Sequence, residues 1–174
     1  MDNLIIDDPM DMKTDVGPLV NKDSLMQIEA QVKDAVSKGA KILAGGKRLE
    51  RKGYFYKPTV LSNIKSGMKV VTEEVFGPVA PIIIVKDEEE AIKVANDSEY
   101  GLGASIWTSN ESKGLEIAKK IEAGDVFINS IVKSDPRMPF GGVKKSGIGR
   151  ELSKYGLREF VNIKGINVYL SNGT

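Results

Sequence analysis

The seven residues Val79-Ala80-Pro81-Ile82-Ile83-Ile84-Val85 make up a run too apolar to face water on either side. The run is rich in β-branched residues, follows Gly77 and Pro78, ends at Lys86-Asp87 and is too short for a helix. These properties predict a central strand of a covered parallel sheet over residues 79–85. A sheet interior rejects proline, so Pro78 and Pro81 are expected where the strand begins, before its ladder is fully paired. Glu73, Glu74, Val75 and Phe76 then form a constrained turn leading into the strand. An acid and an aromatic held on such a turn can point at a ligand. The plainer reading is an acidic approach with a core phenylalanine, and on these residues alone it is preferred.

The rest of the chain alternates helical and extended patterns around that run. Residues 21–37 place Leu25, Ile28, Val32, Ala35 and Val36 on one helical face, with Asn21 or Asp23 as cap and Gly39 as terminator. Strands are expected at 41–44, 54–61, 104–108 and 125–129, and helices at 88–96, from 110 or 112 to 122, and at 150–155. Residues 65–72 read as a loop with one helical turn. This order predicts an α/β fold, a mostly parallel sheet with flanking helices and right-handed crossovers. Three segments are expected: a poorly ordered acidic lead-in at 1–16, the main domain at 17–159, and a terminal strand and tail at 160–174. The apolar alternation over 160–170 suits strand pairing between copies, since an unpaired edge favours association.

Composition narrows the chemistry. The 174 residues contain no Cys and no His, which removes disulfides, thiolate nucleophiles, soft metal sites and the commonest general base. Twenty-five basic side chains oppose 24 acidic ones for a net charge of +1, so no nucleic-acid footprint stands out. No apolar stretch reaches the length of a bilayer span, and the first residues lack a secretory pattern. A cytoplasmic, membrane-free protein is the expectation.

The glycine-rich block 141–149 fails as a phosphate loop. Gly142 and Gly147 have the Walker spacing, but Ile148 stands where lysine is required. A GxGxxG fingerprint after a strand is also missing. The glycines read as tight turns and close backbone approaches. Lys144, Lys145 and Arg150 read as a solvated basic loop ahead of an anion site, and Tyr54, Phe55 and Tyr56 as strand packing.

Two blocks carry a family resemblance. Glu73-Glu74-Val75-Phe76-Gly77-Pro78 resembles the EEVFGP segment of the NAD(P)-dependent aldehyde dehydrogenases. Pro139-Phe140-Gly141-Gly142-Val143-Lys144-Lys145-Ser146-Gly147-Ile148-Gly149-Arg150-Glu151 is similar to their PFGGxKxSGxGRE signature. The order is the family's, and the resemblance runs from about Gly17 to the C-terminus. It implies that Glu74 accepts hydrogen bonds from the nicotinamide ribose hydroxyls, that Phe76 lies beside the nicotinamide, and that Leu102 is near it. It also implies that Phe140 lines the aldehyde tunnel, while Asn129 is nearer structure than chemistry. The loop from Val132 to Phe140 looks most like the succinate-semialdehyde dehydrogenase branch. Ser134 and Arg137 could bind a substrate carboxylate there, and a surface ion pair for Arg137 is equally compatible.

The family attacks its aldehyde with a cysteine thiolate and carries a coenzyme domain ahead of the catalytic one. Neither has a counterpart here, so the chain reads as a mid-domain cut of such an oxidoreductase. It is expected to be inactive alone and to hold no NAD or NADP by itself. Two readings stay open. In one, the chain works beside an N-terminal coenzyme-domain polypeptide; in the other, it is a non-catalytic, self-associating module. Both make it a homo-oligomer.

Overall fold

The computed structural model describes residue 1 and residues 3–169, which divide into two units, residues 1–88 and residues 89 onward.

The first unit is built on helix α1 (Lys22–Ser37). Asn21 caps it, its side-chain oxygen accepting from the Ser24 amide at 2.8 Å, which satisfies one of the helix's orphan donors. At the other end Gly39 takes φ +99°, and the amides of Gly39 and Ala40 donate back to the carbonyls of Val36 and Ala35. That pair of bonds is a Schellman cap, which favours glycine at the left-handed position. Leu25, Ile28, Val32 and Ala35 are buried as the periodicity predicts, but Val36 is exposed.

Against α1 lies a three-stranded sheet of β1 (Lys41–Ala44), β2 (Thr59–Ser62) and β3 (Val79–Pro81) in the order β1-β2-β3. The single-turn helix α2 (Lys69–Thr72) falls between β2 and β3. The central strand is therefore β2, not the 79–85 run. Thr59 and Leu61 of β2 are fully buried, whereas β3 has three residues and Ile84 beyond it is 88 % exposed. Hydrophobicity shows that a run can be covered without showing which neighbours it has, and within this unit β3 pairs on one side only. The bond to the Leu61 carbonyl comes from Ile82 N at 2.8 Å. Strand alternation then turns the donorless nitrogen of Pro81 toward the open edge, where it costs no ladder bond.

The lead-in at 1–16, expected to be loose, is laced into this unit. Ile6 bridges Val16, the amides of Asp15 and Val16 donate to the Ile5 carbonyl, and Arg51 pairs with Asp7 at 2.8 Å.

Helix α3 (Glu88–Asn96) begins at the last residue of the first unit and otherwise belongs to the second. Strand β5 (Gly103–Ile106), helix α4 (Glu111–Ala118) and strand β6 (Asp125–Ile128) follow as a βαβ unit, with β5 and β6 parallel from Gly103↔Asp125 to Ile106↔Ile128. Gly114 of α4 permits close packing, since a Cβ there would sit 3.0 Å from Thr108 and 3.2 Å from Ile128. Strand β4 (Tyr100–Gly101) pairs antiparallel with β7 (Val143–Lys144). The last helix, α5 (Ser153–Arg158), begins and ends about three residues later than expected.

The fold is α/β, but parallel pairing does not dominate: β2–β3 and β5–β6 are parallel, β1–β2 and β4–β7 antiparallel. Among the described residues the terminal strand expected over 160–170 is not formed. Residues 162–169 enter no ladder because no described strand runs beside them, and Phe160, Ile163, Ile166 and Val168 stay exposed. Leu170 lies outside the described residues. Among the described residues no helix is long and apolar enough to cross a membrane, and no cluster of potential metal ligands occurs.

Candidate functional site

The turn from Glu73 to Pro78 is fastened to α1 at two adjacent levels. At Gly77 a Cβ would lie 2.7 Å from Ile28 Cδ1 and 2.9 Å from its Cγ1, so the backbone rests directly on that buried isoleucine. One turn along α1, Gln31 is only 1 % exposed. Its Nε2 donates to the Glu74 carbonyl at 3.0 Å and to Glu73 Oε2 at 3.2 Å. Lys69 Nζ approaches the other oxygen of Glu73 at 3.4 Å, and Val75 packs against the core.

The side chains of Glu74 and Phe76 are left outward on this pinned backbone. Among the described residues nothing hydrogen-bonds or ion-pairs the Glu74 carboxylate, and Phe76 is 78 % exposed. The plainer reading of Phe76 as a core residue therefore fails. Phe76, with Val75, Leu19, Val20 and Ser24, lines an apolar pocket of about 420 Å³. A free carboxylate can accept two hydroxyl donors at once, and an exposed ring offers a flat apolar face.

In the second unit Leu102 and Phe140 line one cleft of about 390 Å³, together with Gly142, Ile148 and Phe160. The strand-like segment at Phe140 is clamped from several sides. Phe140 and Glu151 exchange backbone bonds of 2.9 and 2.8 Å, and the Gly141 amide donates to Asp125 Oδ2 at 3.1 Å. Arg150 Nη1 donates to the carbonyls of Gly142 at 3.0 Å and Gly149 at 2.6 Å. Gly124 lets the chains touch, since a Cβ there would collide with the Gly141 carbonyl oxygen.

Ser134 and Arg137 do not line that cleft. Both are exposed, and Arg137 is folded onto Asp135, Nη2 to Oδ2 at 2.6 Å and Nε to Oδ1 at 3.0 Å. The guanidinium, helped by the Arg137 backbone amide, holds the Asp135 carboxyl well below the usual carboxylate range. The same pair raises Arg137 above its ordinary value. Of the two readings of Arg137, the internal ion pair is the one seen.

The basic residues of the glycine block have structural partners. Lys144 Nζ reaches the carbonyls of Asn96 and Ser98 and ion-pairs with Glu122, Lys145 pairs with Glu99, and Arg150 clamps its own loop. Asn129, at φ +53°, exchanges side-chain bonds with the backbone of Thr108, extending the β5–β6 pairing by one rung. Sequence reasoning missed Gln31 and the clamping role of Arg150. The sequence signal for Gln31 was weak: it borders the apolar stripe of Leu25, Ile28, Val32 and Ala35, as does Gln27 one turn earlier, and only Gln31 is buried.

Residues 1–166 match the model of the aldehyde dehydrogenase family. The chain is 48 % identical over 166 residues to a succinate-semialdehyde dehydrogenase (NADP+) of Mycobacterium leprae, covering 95 % of this chain and 36 % of that protein. It is 46 % identical to an aldehyde dehydrogenase of Paenarthrobacter nicotinovorans, with the same coverage. Among solved structures, that of Gox0499, described in connection with cofactor and substrate selection, superposes with a TM-score of 0.92 at 40 % identity, over 97 % of this chain and 37 % of that one. The NAD+ complex of a Bacillus cereus aldehyde dehydrogenase gives 0.87 at 40 % identity, over 94 % and 35 %. The chain thus spans little more than a third of the length of the relatives it matches.

Proposed function

Because this chain belongs to the aldehyde dehydrogenase family, we propose that it furnishes a nicotinamide-facing turn and an aldehyde-tunnel wall to an NADP-dependent oxidation of succinate semialdehyde. The nucleophilic thiolate of that reaction comes from polypeptide outside these 174 residues, which contain no cysteine. The cofactor and aldehyde are those named for the mycobacterial relative. NADP, when bound, supplies the hydride acceptor. Glu74 accepts from the ribose hydroxyls, and Phe76 offers its face to the nicotinamide. In the second unit Phe140 walls the aldehyde path, and Leu102 lends an apolar surface to the cleft that the two line together. Ser134 and Arg137 meet the distal carboxylate of the substrate once Arg137 exchanges Asp135 for it.

One observation carries this reading: Glu74 is the carboxylate of a turn pinned to α1, yet nothing among the described residues hydrogen-bonds or ion-pairs it. A group fixed in place and left unpartnered is suited to an external donor pair. The test is complementation. The purified chain is mixed with a polypeptide carrying the preceding portion of the mycobacterial relative, and NADPH formation is followed with succinate semialdehyde. Turnover is expected, with Glu74→Gln raising KM for NADP by about 10-fold or more, as loss of hydrogen bonds to a charged group implies. An unchanged KM in that variant would remove Glu74 from the cofactor site.

The exposed apolar side chains at Phe160, Ile163, Ile166 and Val168 favour a second reading, a self-associating module without catalysis. A stable dimer or larger assembly in light scattering, together with no turnover in the mixture, would select it. In the first reading the same assembly is active and homo-oligomeric beside its partner polypeptide.

A further inference from the structure

We infer that Gln31 is a positioning residue for the cofactor-facing turn: it fixes where Glu74 points without touching the ligand. The inference deepens the cofactor reading of Glu74 and rests on it. Three observations converge. Gln31 is buried to 1 % exposure on the helix face beneath the turn. Both protons of its amide nitrogen are committed, one to the Glu74 carbonyl at 3.0 Å and one to Glu73 Oε2 at 3.2 Å. Its amide oxygen is buried and has no partner among the described residues.

The last point is the informative one. Both groups above the amide are acceptors, so only the nitrogen can face them, and the opposite orientation would set oxygen against oxygen. Burying an unmatched amide oxygen opposes folding. An apolar side chain of the same size would avoid that loss, so a purely space-filling role does not account for glutamine here. The amide does one thing an apolar residue cannot: it ties a backbone carbonyl and the neighbouring carboxylate to a rigid helix. Glu73 is drawn down toward Gln31 and Lys69, while the Glu74 side chain, next along the chain, is left facing outward. Neighbouring acids would otherwise be interchangeable on a short turn. Gln31 decides which of them is structural and which is available.

The experiment uses the whole chain with Gln31→Leu, which keeps the volume and removes the donors. Gln31→Met serves the same purpose should the leucine variant fail to fold. Backbone 15N relaxation is read at Glu73, Glu74, Val75 and Phe76, with the α1 amides as the reference for an intact fold. In the unaltered chain the turn is expected to be as rigid as α1. In the variant α1 stays unchanged while 73–76 gain fast motion. Turn relaxation indistinguishable from the unaltered chain would overturn the inference. In the complemented assay the variant is expected to raise KM for NADP about 5-fold with kcat within about 2-fold, the pattern of lost ground-state binding. Glu74→Gln separates the two ideas. If it raises KM and the Gln31 variants do not, positioning by Gln31 falls. If it leaves KM unchanged, the cofactor reading falls, and the relaxation measurement still decides whether Gln31 holds the turn.

Discussion

The contact between Gly77 and Ile28 gives a stability prediction with a sign that can be worked out beforehand. Replacing Gly77 by alanine restricts the unfolded chain, which alone would stabilise by about 0.4–1 kcal/mol. Against this, the new Cβ arrives 2.7 Å from Ile28 Cδ1 and 2.9 Å from Cγ1, with Leu19 3.5 Å away on another side. Ile28 is 1 % exposed and has nowhere free to move. Overpacking of this kind costs about 1–3 kcal/mol, so Gly77→Ala is expected to destabilise the first unit by about 1 kcal/mol. Ile28→Val removes the nearer colliding carbon and by itself costs about 1 kcal/mol. Together the two changes relieve each other, and the double variant should lose about 1 kcal/mol less than the sum of the singles. The assay is urea titration of the four proteins, read from the NMR amide signals of α1 so that only this unit is reported. Additivity within about 0.3 kcal/mol would refute the claim that the turn rests on Ile28.

Two further outcomes concern single side chains. Burial, reinforced by Glu29, pushes the Tyr56 hydroxyl up to about 12. A raised folded-state value means the neutral form is favoured by folding, so this contribution is intact below about pH 10 and lost as pH rises towards 12. Over that window the unaltered chain should lose about 2 kcal/mol of stability that Tyr56→Phe keeps, allowing for solvent screening; parallel denaturation curves for the two proteins would contradict this. Asn129 holds φ +53° and both backbone polar atoms of Thr108, so Asn129→Ala should cost about 1–2 kcal/mol and Asn129→Gly less, because glycine accepts that backbone freely. Thermal melts followed by the single tryptophan, Trp107, report on this neighbourhood, and a glycine variant as unstable as the alanine variant would be the contrary result.

Features written into local chemistry could be read directly from the sequence. Helix α1 has a capping Asn21, an apolar face with the 3.6-residue period and a terminating Gly39, and each was found in its expected role. The pairing of strands was less accessible. The 79–85 run advertised burial, but whether it lies in the middle or at the margin of a sheet depends on distant residues such as Thr59 and Leu61. At the site, the turn bearing Glu74 and Phe76 could be singled out from its residues, because an acid, an aromatic, Gly77 and Pro78 restrict one another. Gln31 lies more than forty residues away in the sequence, and its role exists only once α1 and the turn are packed together. Arg137 shows the reverse: an arginine free to take a substrate carboxylate on paper already has Asp135 two residues before it.

In the first unit Leu25, Ile28, Val32, Tyr56, Leu61 and Met68 are sealed from water, whereas in the second the residues sealed to the same degree are glycines, Gly101, Gly114, Gly142 and Gly156. The apolar side chains of the second unit, Ile106, Val126, Phe127 and Ile128 among them, are covered only in part, so melting this unit hydrates less apolar surface per residue than melting the first. Its share of the heat-capacity increment and of the denaturant slope will be the smaller for its length, and the curvature of stability with temperature will lean towards the contribution of α1 and the sheet beneath it.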